Sequence, residues 1–476
     1  SLLIEMGFSA LAIAERMDAA RWNVDAEAPV VDHRTWVFCG DGDLEEGISH
    51  EACSLAGAFK LDRLCLVYDS NNITIEGTAD LALVDDTRTR FEAYGWKVLE
   101  CDGHDFDAID RAFRKALKVV GQPTLIIAKT HIGMGCPTKQ DTSAVHGAPL
   151  GAEELAGLKR NLGFDPEKFF DVPGDVYDWF EDRGAACHRM NLRWKKALRD
   201  WTAAHADLAA ARDAAQHGYL PQKLEAKLPV FDPSKPLATR TACGAVMCAL
   251  AAEVPFLVGG SADLEPSNKT NLKPFGWNSA TDFSGRNFHW GIRELGMSAI
   301  VNGLVAHGGY RAFGATFAVF SDYCKPAMRL AALMGLPSMW VFSHDSFYVG
   351  EDGPTHEPVE QLAMLRTTPN LCTFRPADAN ETAACWLAML QRKDGPSCIF
   401  TSRQNLPVLE GVVPEKVAKG AYVIWEASPM PDVLFIATGS EVSLCIEAAK
   451  RLAETGRSAR VVSMPCRELF ERQPLA

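Results

Sequence analysis

The chain has 476 residues, of which 47% are hydrophobic and 23% charged, with a formal net charge of -13. That length calls for two or three domains, and the composition is that of an ordinary globular protein. The acidic balance excludes nonspecific nucleic-acid binding, which needs a basic excess to displace phosphate counterions, although local arginines can still hold anionic substrates.

Residues 1–22 carry apolar positions at helical spacing. Trp36 to Cys39 is an apolar run that stops at Gly40-Asp41-Gly42, as a buried parallel strand does when it delivers a loop. A helix is expected over 47–61 and a second strand over 64–68, ending at Asp69-Ser70-Asn71-Asn72. The right-handed crossover of such a unit puts both loops at one end of the sheet, which makes Asp41 and Asn71 neighbours. A carboxylate and an amide oxygen so placed suit a hard divalent cation, with the Ile73 carbonyl as a further ligand. The plainer reading is a glycine turn and an Asx turn in a parallel sheet. The paired asparagines, separated from Gly42 by 28 intervening residues, favour the site.

A strand-loop element is expected over 91–101, a helix over 108–120 and a strand over 124–128. The following loop carries His146 beyond the strand's carboxyl end, where ligands gather in such sheets. His131, His188, His205 and His217 read as ordinary histidines. From 151 to 236 the chain reads as amphipathic linking helices, closed by Asp232-Pro233-Ser234-Lys235-Pro236. Strand-helix alternation then resumes, with helices expected over 241–252 and 295–307 and strands over 256–258, 339–344 and 372–374. Phe317, Phe320 and Tyr323 at three-residue spacing read as a helix core stripe. Glu294, in an apolar setting, reads as a paired structural carboxylate or a catalytic group. A third unit opens at 434–438 and is cut short at Ala476.

The expected fold is therefore α/β, with successive doubly wound parallel-sheet domains and the start of a third, divided as 1–150, 151–236, 237–410 and 411–476. The 14 cysteines form no CxxC pair and no zinc-type spacing, which reads as buried thiols in a reducing compartment. No apolar run reaches membrane-spanning length and SLLIEMGF lacks a signal-peptide layout, so a cytoplasmic location is expected. The start at Ser1 reads as a chain entered part-way.

GDG followed at this distance by NN resembles the signature of thiamine-diphosphate enzymes, and GDGDLEEGISHEACSLAGAFKLDRL, HGAPL, HWGIRELGM, GEDGPTHEPVE and SRQNLP resemble transketolases. The resemblance runs from about Ala12 to Arg467. It implies a diphosphate and metal domain over 1–150, a helical linker over 151–236, a pyrimidine-binding domain over 237–410 and a truncated carboxyl-terminal domain. It implies a homodimer with active sites at the subunit interface, Glu46 and Glu51 lying near that interface. Thiamine diphosphate with magnesium, or another divalent cation such as calcium, would be held by Asp41, Gly42, Glu46, Asn71, Ile73, His146 and Asp263. Glu294 would bond the pyrimidine ring, which Phe317, Phe320 and Tyr323 would wrap. Sugar phosphates would be held by His146, Arg240, Ser267, His344, Asp352, His356 and Arg403, with Glu294, His146 and His356 as the catalytic groups. The implied reaction moves a two-carbon ketol unit between sugar phosphates of the pentose phosphate pathway. The alternatives are a noncatalytic dimerising or regulatory relative, or a ketol transferase with another acceptor such as formaldehyde. The family's upstream glycine-rich stretch and channel histidines do not match SLLIEMGF, so weak or no turnover is expected of the chain as it stands.

Overall fold

The computed structural model describes residues 2–25 and 27–474, with side chains from Phe8 onward. The chain forms two compact units, residues 1–210 and 211–476.

The first unit begins with α1 (Leu2–Trp22), β1 (Thr35–Cys39), α2 (Asp41–Glu45), α3 (Gly47–Ala58) and β2 (Leu64–Ser70). It continues with α4 (Thr87–Ala93), β3 (Lys97–Asp102), α5 (Phe106–Ala116) and β4 (Thr124–Lys129). The strands make one parallel sheet in the order β1-β2-β4-β3. The helix expected over 47–61 is α3, which ends at Ala58, and the short α2 stands before it because the chain turns at Glu46, the N-cap of α3. Phe91, expected in a strand-loop element, closes α4 instead, where its ring meets Trp96 edge-on at 5.2 Å. The Asp86 carboxylate sets that helix by accepting from the Thr89 amide at 2.8 Å. Helices α6 (Ala152–Asn161), α7 (Gly174–Ala204) and α8 (Ala206–His217) follow. Trp201 of α7 packs edge-on against Trp22 of α1 at 6.4 Å.

The second unit holds β5 (Leu237–Ala238), α9 (Thr239–Glu253), β6 (Leu257–Ser261), α10 (Glu265–Asn268), β7 (Asn287–His289) and α11 (Glu294–His307). Next come β8 (Arg311–Phe317), α12 (Ser321–Met334), β9 (Met339–Ser343), α13 (Gln361–Arg366), β10 (Cys372–Phe374), α14 (Ala379–Gln391) and β11 (Ser397–Thr401). Six of these strands pair in parallel in the order β10-β11-β9-β8-β6-β7. The apolar runs of β8, β9 and β11 are buried along their whole length, as strands covered on both faces must be. Trp386 of α14 fills the core beneath, edge-on to Phe313 at 6.4 Å. The last elements are β12 (Asn405–Leu406), paired with β5, then α15 (Pro414–Val417), β13 (Tyr422–Glu426), β14 (Val433–Ala437), α16 (Glu441–Glu454), β15 (Ala459–Ser463) and α17 (Arg467–Glu471). They build a further small sheet, β13-β15-β14, in which β13 runs antiparallel. Both units are thus α/β with parallel sheets, as expected. Among the described residues no helix is long and apolar enough to cross a membrane.

Candidate active site

In the first unit the β1–β2 pairing aligns Cys39 with Tyr68, so the turns after Gly40 and after Ser70 leave the sheet side by side. Asp41 is buried there, and both its oxygens are engaged. The Tyr68 hydroxyl donates to Oδ1 at 2.6 Å and the Asn72 amide to Oδ2 at 3.1 Å. Burial, reinforced by Asp41, raises the Tyr68 pKa, which keeps that hydroxyl a donor. Asn71 Oδ1 accepts from the Ile73 amide at 3.0 Å, an Asx turn that fixes the side chain. The Gly40 amide is given to Asp43 Oδ2 at 2.8 Å, so it is not open to an anion. A Cβ at Gly42 would meet no atom within 4 Å, leaving the loop accessible.

Asp41, Asn71 and Ile73 line one cavity of about 1010 Å³, with Tyr68, His104 and His131. His131, which the sequence left as ordinary, hydrogen-bonds through Nδ1 to Asp141 at 3.0 Å and stacks on His104 at 5.7 Å. Glu46 is half-buried, while Gly42 and His146 are exposed. His146 follows the turn Ser143–Val145 and is not among the cavity's lining residues.

In the second unit a reciprocal pair of bonds joins the start of α9 to the end of β11. The Ser402 amide donates to Thr239 Oγ1 at 2.7 Å and the Thr239 amide to Ser402 Oγ at 3.1 Å. The next residues along each segment, Arg240 and Arg403, are thereby brought into electrostatic reach, and Arg240's pKa is lowered by burial and then by Arg403. Arg240 donates to the Ser267 carbonyl at 2.9 Å and meets His344 Nε2 at 3.4 Å, while its Nε is buried without a partner among the described residues. Arg403 has Glu351 at 3.4 Å, whereas no ion pair reaches Arg240 among the described residues.

His344 follows β9 with φ of +62°, a strained backbone for a non-glycine residue. Its Nδ1 meets Ser343 Oγ at 2.8 Å, and Ser343 donates to Asn268 Oδ1 at 2.6 Å. Burial, with help from Arg240, Arg403 and His356, pushes the His344 pKa down to about 3, so the ring is neutral at physiological pH. The Phe317 ring lies 3.9 Å from His344, and Phe320 meets His356 at 5.4 Å, nearly perpendicular. Phe317 ends β8, Phe320 sits in a single turn and Tyr323 is 61% exposed in α12. The three are therefore no helix core stripe, because the chain changes conformation between each of them.

Glu294 is buried as the first residue of α11, where the helix N-terminus favours negative charge, and Oε1 accepts from the Thr316 hydroxyl at 3.5 Å. Asp263, with φ of +60°, and Asp352 are both exposed. Ser267 joins the group through its carbonyl rather than its hydroxyl.

Residues 6–221 match the family model of the transketolase thiamine diphosphate binding domain. Residues 235–408 match that of the transketolase pyrimidine binding domain, and 420–476 that of a transketolase-like carboxyl-terminal domain. A transketolase of Bacillus subtilis is 47% identical over 472 residues, 97% of this chain and 70% of the relative. The chain belongs to the transketolase family. Another member, from Geobacillus stearothermophilus, is 46% identical over 98% of this chain and 70% of its own. Among solved transketolases, that of Leishmania mexicana superposes with a TM-score of 0.95 at 41% identity, covering 99% of this chain and 70% of that one. The Pichia stipitis enzyme in complex with sedoheptulose 7-phosphate gives 0.94 at 40% identity, covering 98% and 70%. Transketolases are transferases, and this family places the two side-chain groups above in named cofactor-binding domains.

Proposed function

We propose that the protein transfers a two-carbon ketol unit from a ketose phosphate to an aldose phosphate. The observation that carries this is the site around Arg240. A half-buried arginine, with its Nε buried and unpartnered and no carboxylate paired to it among the described residues, lies beside a second arginine and a neutral histidine. Such a cluster is short of negative charge, and a phosphate dianion supplies it with bidentate geometry. The Pichia stipitis relative was solved with a sugar phosphate, which supports the same ligand class here.

The first unit's donors fit a hard divalent cation. Asp41 and Asn71 are oxygen donors on adjacent turns, already oriented by Tyr68 and by the Ile73 amide, and phosphate and water would complete the shell. Asp41, Asn71 and Ile73 would hold magnesium, or calcium in its place, against the diphosphate, with Gly42, Glu46, His146 and Asp263 as further cofactor contacts. Thiamine diphosphate, when bound, supplies the nucleophilic carbon and electron sink that carbon-carbon cleavage needs. Glu294 would hold a proton at the pyrimidine nitrogen, a task suited to a buried carboxyl. Phe317, Phe320 and Tyr323 would pack the pyrimidine ring and exclude water. His356, beside Phe320, and His146 would move protons at the substrate oxygens, while Ser267 and Asp352 contact the sugar.

The proposed domains are 1–150, 151–236, 237–410 and 411–476, assembled as a homodimer with active sites at the subunit interface. Ile292 is 76% exposed two residues before Glu294, and Tyr323 is 61% exposed, which supports cover by a second copy. Light scattering on the purified protein tests the dimer. All fourteen cysteines are unbridged, which supports a reducing, cytoplasmic location.

The test is a coupled assay with xylulose 5-phosphate and ribose 5-phosphate, thiamine diphosphate and magnesium. It uses protein expressed from the complete open reading frame. Formation of a seven-carbon ketose phosphate and a three-carbon aldose phosphate is expected. No product from a folded, cofactor-loaded protein favours the noncatalytic reading, and turnover only with formaldehyde as acceptor favours the other.

A further inference from the structure

One buried ion cluster in the second unit has no place in the reaction above. Arg375 follows β10, and its guanidinium is spread over two modules. Nε donates to Asp345 Oδ2 at 2.8 Å. One terminal nitrogen donates to the Thr438 carbonyl at 2.8 Å and to Glu441, and the other to Ser440 Oγ at 3.2 Å and Glu441 Oε1 at 3.3 Å. The backbone is gripped as well. The Arg375 amide donates to the Pro465 carbonyl at 2.9 Å, and its own carbonyl accepts from the Gly439 amide at 3.0 Å and the Thr438 hydroxyl at 3.1 Å. Gly439, at φ of +60°, is the residue this approach requires, since a Cβ there would stand 2.6 Å from the guanidinium carbon.

Asp345 is the residue after His344. Its side chain is 2% exposed, its Oδ1 is buried without a partner among the described residues, and Arg375 grips the other oxygen. His344 itself sits at a strained φ of +62°, a conformation that persists only where neighbours over-determine it. Ser343 holds the His344 ring from one side in sequence and Asp345 anchors the backbone on the other.

We propose that Arg375 and Glu441 are positioning residues, by which the loop between β14 and α16 fixes His344 in the phosphate site through Asp345. The carboxyl-terminal sheet would thereby set affinity for the substrate's phosphate without touching substrate. This rests on the reading of Arg240, His344 and Arg403 as the phosphate site.

The experiment compares Glu441→Gln, Arg375→Lys and Arg240→Ala with the parent, all expressed from the complete open reading frame. The readouts are KM and kcat for a phosphorylated ketose and for an unphosphorylated one, and the inhibition constant of inorganic phosphate. Glu441 is half exposed, so its replacement keeps the test open where Arg375→Lys fails to fold. In Glu441→Gln, the phosphate inhibition constant and the KM for the phosphorylated donor are expected to rise by about three- to thirtyfold. Its kcat and its KM for the unphosphorylated donor should stay within about twofold, which no general loosening of the fold would give. If Arg240→Ala weakens phosphate binding and folded Glu441→Gln does not, the positioning role is overturned and the phosphate site stands. If Arg240→Ala leaves phosphate inhibition unchanged, both are overturned.

Discussion

Arg240→Ala removes a guanidinium whose buried Nε has no partner among the described residues. A hydrogen bond to a charged group is worth about 1.5–3 kcal/mol net, and about 1.4 kcal/mol is tenfold. Losing one such bond to phosphate therefore costs about 10- to 150-fold in kcat/KM for a phosphorylated ketose. The same change also deletes the bond to the Ser267 carbonyl at 2.9 Å, which affects any substrate alike. An unphosphorylated ketose measures that shared part. The ratio of the two losses isolates the phosphate contribution and is expected to stay near the same 10- to 150-fold range. Initial rates for both donors, with far-UV circular dichroism as the folding control, decide it. Equal losses for the two donors would refute the assignment of Arg240 to phosphate.

Glu294→Gln is expected to lower kcat by at least about 100-fold, the lower end of what a positioned proton donor or acceptor contributes, with circular dichroism unchanged; near-normal turnover would show the role misassigned. Asp41→Asn should abolish the rise in melting temperature that magnesium plus thiamine diphosphate gives the parent, and a preserved rise would place the cation elsewhere. His344 is a base whose folded pKa, about 3, lies below the ordinary 6.5. The unfolded chain takes up a proton near 6.5 that the folded one resists until about 3, so this group costs stability progressively as pH falls through that window. Melting temperature between pH 7.5 and pH 5 should therefore drop less in His344→Asn, and parallel drops would contradict the buried neutral ring. Trp386→Ala should destabilise the second unit by about 3–5 kcal/mol, from the cavity left under β8 and the lost bond to Cys243 Sγ at 3.1 Å. Denaturant unfolding followed by fluorescence measures it.

Much of the fold was legible because β1, β2, β4 and β9 are short apolar runs closed by turn residues. β8 and β11 were not read as strands, since Arg311, Gly314 and Thr316 interrupt the one and Ser397 and Thr401 bound only three apolar residues in the other. The GDG and NN turns followed from strand pairing alone. The misreadings have local causes. Phe317, Phe320 and Tyr323 keep helical spacing while crossing a strand end, a turn and a helix start. Phe91 is a core residue of a helix too short to show a period. What the sequence could not display is contact between distant residues. Tyr68 reaches Asp41 across 27 positions and Arg375 reaches Glu441 across 66, and neither pair carries a local signal. The positive φ of His344 was equally hidden, since few non-glycine residues adopt it and nothing local in the sequence singles this one out. The pairing of Arg240 with Arg403 is a product of the Thr239–Ser402 bonds that fold the two segments together.

The central claim, transfer of an intact two-carbon unit between sugar phosphates, is tested most directly by isotope. A ketose phosphate labelled with carbon-13 at its first two carbons is incubated with an unlabelled aldose phosphate and the loaded protein, and the products are read by nuclear magnetic resonance. The account predicts that both labels arrive together on the first two carbons of a ketose two carbons longer than the acceptor. Labels that remain in the donor, or that move within a three-carbon fragment, would contradict it.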